Sequence, residues 1–198
     1  MDQPVDIVEQ IERSLDMTAT VVAGIGADQW TAQTPCAGWD VRAVLNHTVG
    51  GMHIFAAELT GQPAAAEHEA DWLGDDPQGR FASAAETDRA AWRRPDSLAG
   101  SVTISLGRLP GPMAAVVHLT EVLVHGVDLA VATGQQDVLD QGLCADLLAT
   151  MRAMGIEAFR VPGVFGPEVT PTGGAAPHEQ LAAYLGRDLR LAAAAPRP

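Results

Sequence analysis

Pro112 to Gly134 reads PMAAVVHLTEVLVHGVDLAVATG, and the fold turns on this stretch. Apolar residues surround it on nearly every side, the pattern of a helix that is buried on most faces. Pro112 suits a first helical turn and Gly134 a C-terminal cap, so the helix is expected over 112–133. Four polar residues interrupt it: His118, Glu121, His125 and Asp128, spaced three, four and three apart. That spacing sets them along one stripe of a single face. The remaining faces carry Val, Leu and Ala, so the stripe is not the solvent side of an ordinary amphipathic helix. An ionised Glu facing a core is strongly unfavourable unless it is paired or coordinated. An Arg from a neighbouring helix would offset that penalty, and so would a metal ion. Glu121 and His125, one turn apart, suit two ligands reaching for one ion, with a third from a facing helix.

That facing helix is expected over 40–60, capped at its start by Asp40 and ended by Gly61 and Pro63. Its core side runs Val41, Val44, Leu45, Thr48, Met52, Phe55 and Leu59. His47, in VRAVLNHTVGG, falls at the edge of that side. Gly50 and Gly51 each weaken the helix by about 1 kcal/mol relative to Ala. Something is expected to come close to the backbone there, whether a functional group or a neighbouring helix.

Further out, Val8, Ile11, Leu15, Thr18, Val22 and Ile25 mark one face of a helix over 4–25. Pro77 to Arg94 reads as an additional helix on the rim, stopped by Pro95. Val102, Ile104 and Leu106 alternate as in a short extended segment, with no partner strand evident. A fourth main helix is expected over 138–159, with Leu143, Leu147, Met151 and Met154 spaced for burial. The tail VPGVFGPEVTPTGG is irregular, and a last short helix is expected from His178 to Leu185. The expected fold is therefore all-α: a four-helix bundle with a rim helix and an irregular C-terminal tail, forming a single domain over 1–198.

The totals exclude several classes. A hydrophobic share of 47% is ample for a core and rules out disorder. With a net charge of −13, no Lys at all and no basic cluster beyond Arg93-Arg94, neither nucleic acid nor an anionic membrane is an expected partner. Two cysteines, Cys36 and Cys144, make no disulfide framework. The start MDQPVDIVEQ lacks the basic-then-apolar plan of a signal peptide, and no uninterrupted apolar run spans a bilayer. A cytoplasmic location is expected.

Two segments, TPCAGWDVRAVLNHTVGG and LTEVLVHGVDLAVATGQ, resemble the DinB-like superfamily, and within it the mycothiol-dependent maleylpyruvate isomerase family. The closing stretch, RVPGVFGPEV followed by LAAYLGRD, is similar to short bacterial members of this group. Carried over residue by residue, the resemblance implies that His47, Glu121 and His125 hold one divalent metal, zinc being the expected ion. It also implies a DinB-like bundle, open positions on the ion, and a low-molecular-weight thiol such as mycothiol as cosubstrate. A divalent cation stabilises thiolate over thiol, and thiolate is the nucleophile. The isomerase carries a further C-terminal domain that helps form its active site. For a chain of 198 residues, transfer of the thiol to a small electrophile is therefore expected rather than maleylpyruvate isomerisation. A metal-dependent hydrolase of the same fold and a non-enzymatic metal-binding protein are the competing readings.

The other candidates carry less. Asp128 has two readings, an acceptor that orients an imidazole or a partner for an Arg. His118 is at most a pocket residue, His53 is expected in solvent, and His68 and His178 have no evident partner. Cys36 is expected to serve the packing of its loop against Trp39, Cys144 the core, and Trp30 and Trp39 the packing between the first two helices. Because only neutral imidazole coordinates, metal affinity is expected to weaken as pH falls toward the ordinary His value of about 6.5.

Overall fold

A computed structural model of the chain describes residues 6–105, 107–161 and 163–189. Its centre is the helix read first, α4 (Gly111–Thr133), ended by Gly134 in the left-handed conformation. Around it lie α1 (Ile7–Ala23), α2 (Val41–Thr60) and α3 (Pro77–Trp92). Each of these three begins at an Asp whose side chain accepts from a backbone N–H of the first turn: Asp6, Asp40 and Asp76. Residues 4 and 5, and Leu106, lie outside the described residues.

Small residues let the helices approach. A Cβ on Gly126 would strike Thr18 Oγ1 of α1, and that hydroxyl instead donates to the Val122 carbonyl at 3.3 Å. α4 is long and apolar enough to cross a membrane, yet 78% of its most apolar stretch is buried inside the molecule. Its hydrophobicity is that of a core helix.

The structure keeps the bundle-plus-rim plan but exchanges two helices. α3 belongs to the bundle, lying against α2 and α1, with Phe81 and Trp92 each 1% exposed. The flanking helix is α5 (Gln141–Met154), packed mainly against α6 (Pro177–Tyr184). α5 is also shorter than the expected 138–159. Asp140 caps it, accepting from Leu143 N at 2.9 Å while Arg13 holds the other oxygen at 2.6 Å, and Gly155 stops it at φ 72°. The ends of the expected span are single turns, Gln136–Val138 and Glu157–Phe159.

The extended segment does find a partner. β1 (Ser101–Ile104) pairs antiparallel with β2 (Gly107–Pro110), Val102 opposite Leu109. Glu58 of α2 accepts from Thr103 N at 2.8 Å and fixes this hairpin beside the open end of the groove between α2 and α4.

Candidate metal centre

His47 on α2 and the pair Glu121 and His125 on α4 face one another across that groove. His47 Nε2 lies 3.1 Å from Glu121 Oε2, and His125 Nε2 lies 3.4 Å from the same oxygen. One ligand atom from each of the three residues falls within 4.8 Å of the other two. Two imidazoles and a carboxylate on facing helices are the donor set of a catalytic rather than a structural zinc site.

Asp128, one turn past His125, resolves its two readings by satisfying both. Its Oδ2 is 3.1 Å from His125 Nδ1, and Arg187 Nε donates to its Oδ1 at 2.9 Å. The bond to Asp128 assigns the Nδ1 proton and leaves His125 Nε2 to face Glu121. Asp128 is fully buried, so the Arg is what allows it to remain charged there. Burial alone would raise its pKa, but the Arg187 charge and the His125 bond hold it below the ordinary value.

The two imidazoles differ electrically. Burial lowers the pKa of His47, against a smaller opposing effect of its bond to Glu121. Burial also acts to lower His125, but the carboxylates of Asp128 and Glu121 overcome it and bring His125 to about 9 in the metal-free protein. Glu121 is held well below the ordinary carboxylate range, its burial outweighed by hydrogen bonds from His125 and His47.

Around the three residues opens a cavity of about 890 Å³. The turn TPCAGW frames one side. Thr34 Oγ1 donates to the Trp39 carbonyl at 2.8 Å, Trp39 N donates to the Cys36 carbonyl at 3.0 Å, and Gly38 takes the left-handed φ of 83° that this tight reversal needs. Trp39 thereby lies 4.6 Å from the His47 ring and 5.9 Å from that of His125. It is a wall of the cavity and not only packing. Cys36 lines the cavity too, within 4.8 Å of ligand atoms on His125 and Asp128, and burial pushes its thiol up to about 11.

Residues 67–72 form the opposite side, and they explain the glycine pair. A Cβ on Gly50 would lie 2.7 Å from the His68 carbonyl oxygen and 2.8 Å from Trp72 Nε1, so only Gly lets this loop cross α2. His68 then packs its ring 4.4 Å from that of His47, and its Nε2 is 3.1 Å from the His47 carbonyl oxygen. Gly51 meets only His68 Nε2, at 3.7 Å. His53 is not in solvent as expected; it is half-buried and stacked on Trp72 at 4.6 Å.

His118 heads the same stripe of α4 but leaves the cluster. It is 1% exposed and bonds Asp88 of α3 at 2.7 Å. His178 pairs with Gln141 at 3.0 Å, away from the cavity, and Cys144 is in the core.

Sequence reasoning missed Arg187 and His68. Arg187 reaches Asp128 because the chain crosses itself at two glycines. A Cβ on Gly186 would lie 2.5 Å from Gly166 Cα, so the closing strand of chain can press residue 187 inward. No local pattern encodes that crossing; the glycine preceding the Arg is the one trace of it.

Comparison with known proteins identifies the family and the fold. The family model described as the mycothiol maleylpyruvate isomerase N-terminal domain matches residues 11–130. Two uncharacterized proteins of Mycobacterium tuberculosis, from strains CDC 1551 / Oshkosh and ATCC 25618 / H37Rv, are each 34% identical over 180 residues. That alignment covers 90% of this chain and 96% of the relative. Among solved structures, the mycothiol-dependent maleylpyruvate isomerase matches with a TM-score of 0.56 at 15% identity, over 77% of this chain and 69% of the other. A His-to-Ala variant of that enzyme matches with the same TM-score at 16% identity, over 80% and 71%. At these identities the structural likeness establishes the fold.

Proposed function

The chain belongs to the mycothiol maleylpyruvate isomerase N-terminal domain family, and from that premise we propose that it is a metal-dependent thiol S-transferase, with zinc as the ion and mycothiol or a related small thiol as cosubstrate. One observation carries the reading: His47 and His125 turn their Nε2 atoms to a single Glu121 oxygen at the wall of a cavity large enough for a small molecule. The donor set fits a divalent ion, because His125 already has its other nitrogen anchored and the three ligand atoms converge without a competing Arg among them.

When bound there, a divalent ion would hold a thiol as thiolate near neutral pH, where a free thiol with pKa near 8.5 is mostly protonated. The protein's own residues do the rest. Asp128 and Arg187 fix the His125 ring, so its Nε2 is pre-aimed. His68 and Trp39 pack against His47 and limit its rotation. Trp39 and the crossing at Gly166 and Gly186 line this cavity.

Elemental analysis of the purified protein, followed by titration of the cobalt-substituted form with mycothiol, tests this. A thiolate-to-cobalt charge-transfer band should appear on adding thiol and be absent in His125→Ala. No band and no binding heat at millimolar thiol would remove the transferase reading.

A further inference from the structure

Among the described residues the cavity around His47, Glu121 and His125 has no uncommitted Arg on its lining. Two Arg side chains line it. Arg187 is committed to both oxygens of Asp128. Arg160 pairs with Glu157 at 3.0 Å, donates to the carbonyls of Gly166 at 2.6 Å and Tyr184 at 3.0 Å, and lies over the Tyr184 ring. Against them, Glu67 and Glu69 stand exposed on the lining, and neither pairs with a cation among the described residues. The chain as a whole carries a net charge of −13, which repels anions at long range.

Beside the hydroxyls of Thr48, Thr103, Ser105 and Thr120, the wall has a broad apolar part drawn from five separate pieces of chain. Trp39 of the TPCAGW turn, Phe55 of α2, Ile104 of β1, Val117 of α4, and Val161 and Phe165 of the closing segment all line it. Such a surface rewards an uncharged ligand by burial, and a carboxylate there meets two unpaired glutamates and no uncommitted Arg.

We propose that the second substrate is an uncharged, largely apolar electrophile, and that the cavity discriminates against dicarboxylates. This rests on the transferase reading for the word electrophile, but the preference itself is a property of the chain's own side chains. At the inner end of the metal-free protein His47 and His125 face Glu121, and His125 and Arg187 face Asp128, so none of these groups is left to pair with a dianion.

Diethyl maleate and maleate share a carbon skeleton and differ in charge, so they form the test pair. Calorimetry on the metal-free protein without thiol reads binding alone. The ester should bind at least tenfold more tightly than the dianion. The double variant Glu67→Arg with Glu69→Arg, both at exposed positions, should narrow that ratio severalfold by improving maleate while leaving the ester unchanged. Maleate binding as tightly as the ester, or a lip variant that leaves the ratio where it was, would overturn the inference, as would no binding of the ester up to its solubility limit. Consumption of the ester by the metal-loaded protein with mycothiol is read separately. If the ester binds with the stated preference and is never consumed, the cavity preference stands and the transferase reading falls.

Discussion

α4 presents two His–carboxylate pairs, seven residues apart on one stripe, and the structure treats them in opposite ways. At His118 the partner is Asp88 of α3, both are essentially inaccessible, and the rings of Phe55 and Trp92 close over them at 4.5 and 5.3 Å. His118 Nδ1, Asp88 Oδ1 and Trp92 Nε1 are buried there without hydrogen-bond partners. At His125 both nitrogens are engaged, a second imidazole arrives from α2, and the cluster opens on a cavity. The two share residue types and helical spacing. What separates them is the neighbour that each faces: Phe55 of α2 and Trp92 of α3 close over the first, whereas the second faces His47 and the cavity. A candidate metal centre is thus made by convergent lone pairs, an anchored ring and access together, and residue type alone does not distinguish it.

The comparison breaks most directly on metal content. His47→Ala should lower metal affinity by more than about 100-fold, beyond the 10- to 100-fold typical of losing an outer partner, while the helical fold by circular dichroism persists. His118→Leu should leave a full equivalent of metal bound. If His118→Leu empties the site instead, the two pairs are not separate. Next comes Asp128→Asn, expected to weaken metal binding by about 10- to 100-fold because the imidazole loses its charged anchor. The same variant leaves Arg187 facing a neutral amide in a buried place, so its thermal midpoint should fall as well.

Acidity gives a third, smaller effect of about tenfold per pH unit. His125 in the metal-free protein keeps its proton up to about pH 9, so a metal that binds at neutral pH must expel that proton. Affinity should therefore rise with pH across 7 to 9 and flatten above, and calorimetry in buffers of differing ionisation enthalpy should count roughly one proton released per ion. The same shift works in the opposite direction on folding. A group whose folded pKa is raised stabilises the metal-free protein below the ordinary value of 6.5 and loses that contribution as pH climbs through about 9. The ordinary value of 6.5, which the sequence reading assumed, is therefore displaced upward for His125, and burial displaces His47 downward.

The sealed pair supplies the smallest expected effect. His118→Leu or Asp88→Ala alone leaves one buried polar group unpaired and should destabilise by about 1–3 kcal/mol. Combining them should be less harmful than adding the two, since neither member of the pair is then left without the other. Denaturant midpoints of the four proteins in this cycle measure it. A fully additive double variant would mean that the pair contributes no coupling.

The sequence makes legible whatever is local to one element. The three-four spacing puts Glu121 and His125 on one face, Asp40 and Gly134 set helix ends, and Gly50 signals a close approach. The facing His47 needed the family motif in addition. What was hidden depends on partners distant in the chain. α3 buries Ala84, Ala85, Asp88 and Ala91 among its core side chains, and small or polar residues leave no hydrophobic stripe to read, so its place inside the bundle was missed. β2 has the sequence GRLP, with no alternation to mark it as a strand. His68 reaches His47 across a loop, and Arg187 reaches Asp128 only through the two-glycine crossing.

The contact between Arg187 and Asp128 closes a loop of 59 residues, and it is supplied by nearly the last described part of the chain. The facing of His47 and Glu121 closes a longer loop still, 74 residues, so neither contact is local in the chain. Until residue 187 docks, Asp128 has no Arg beside it, and the His125 ring lacks a charged anchor held in place from behind. Docking of this distant segment therefore decides whether the cluster of His47, Glu121 and His125 is loose or locked.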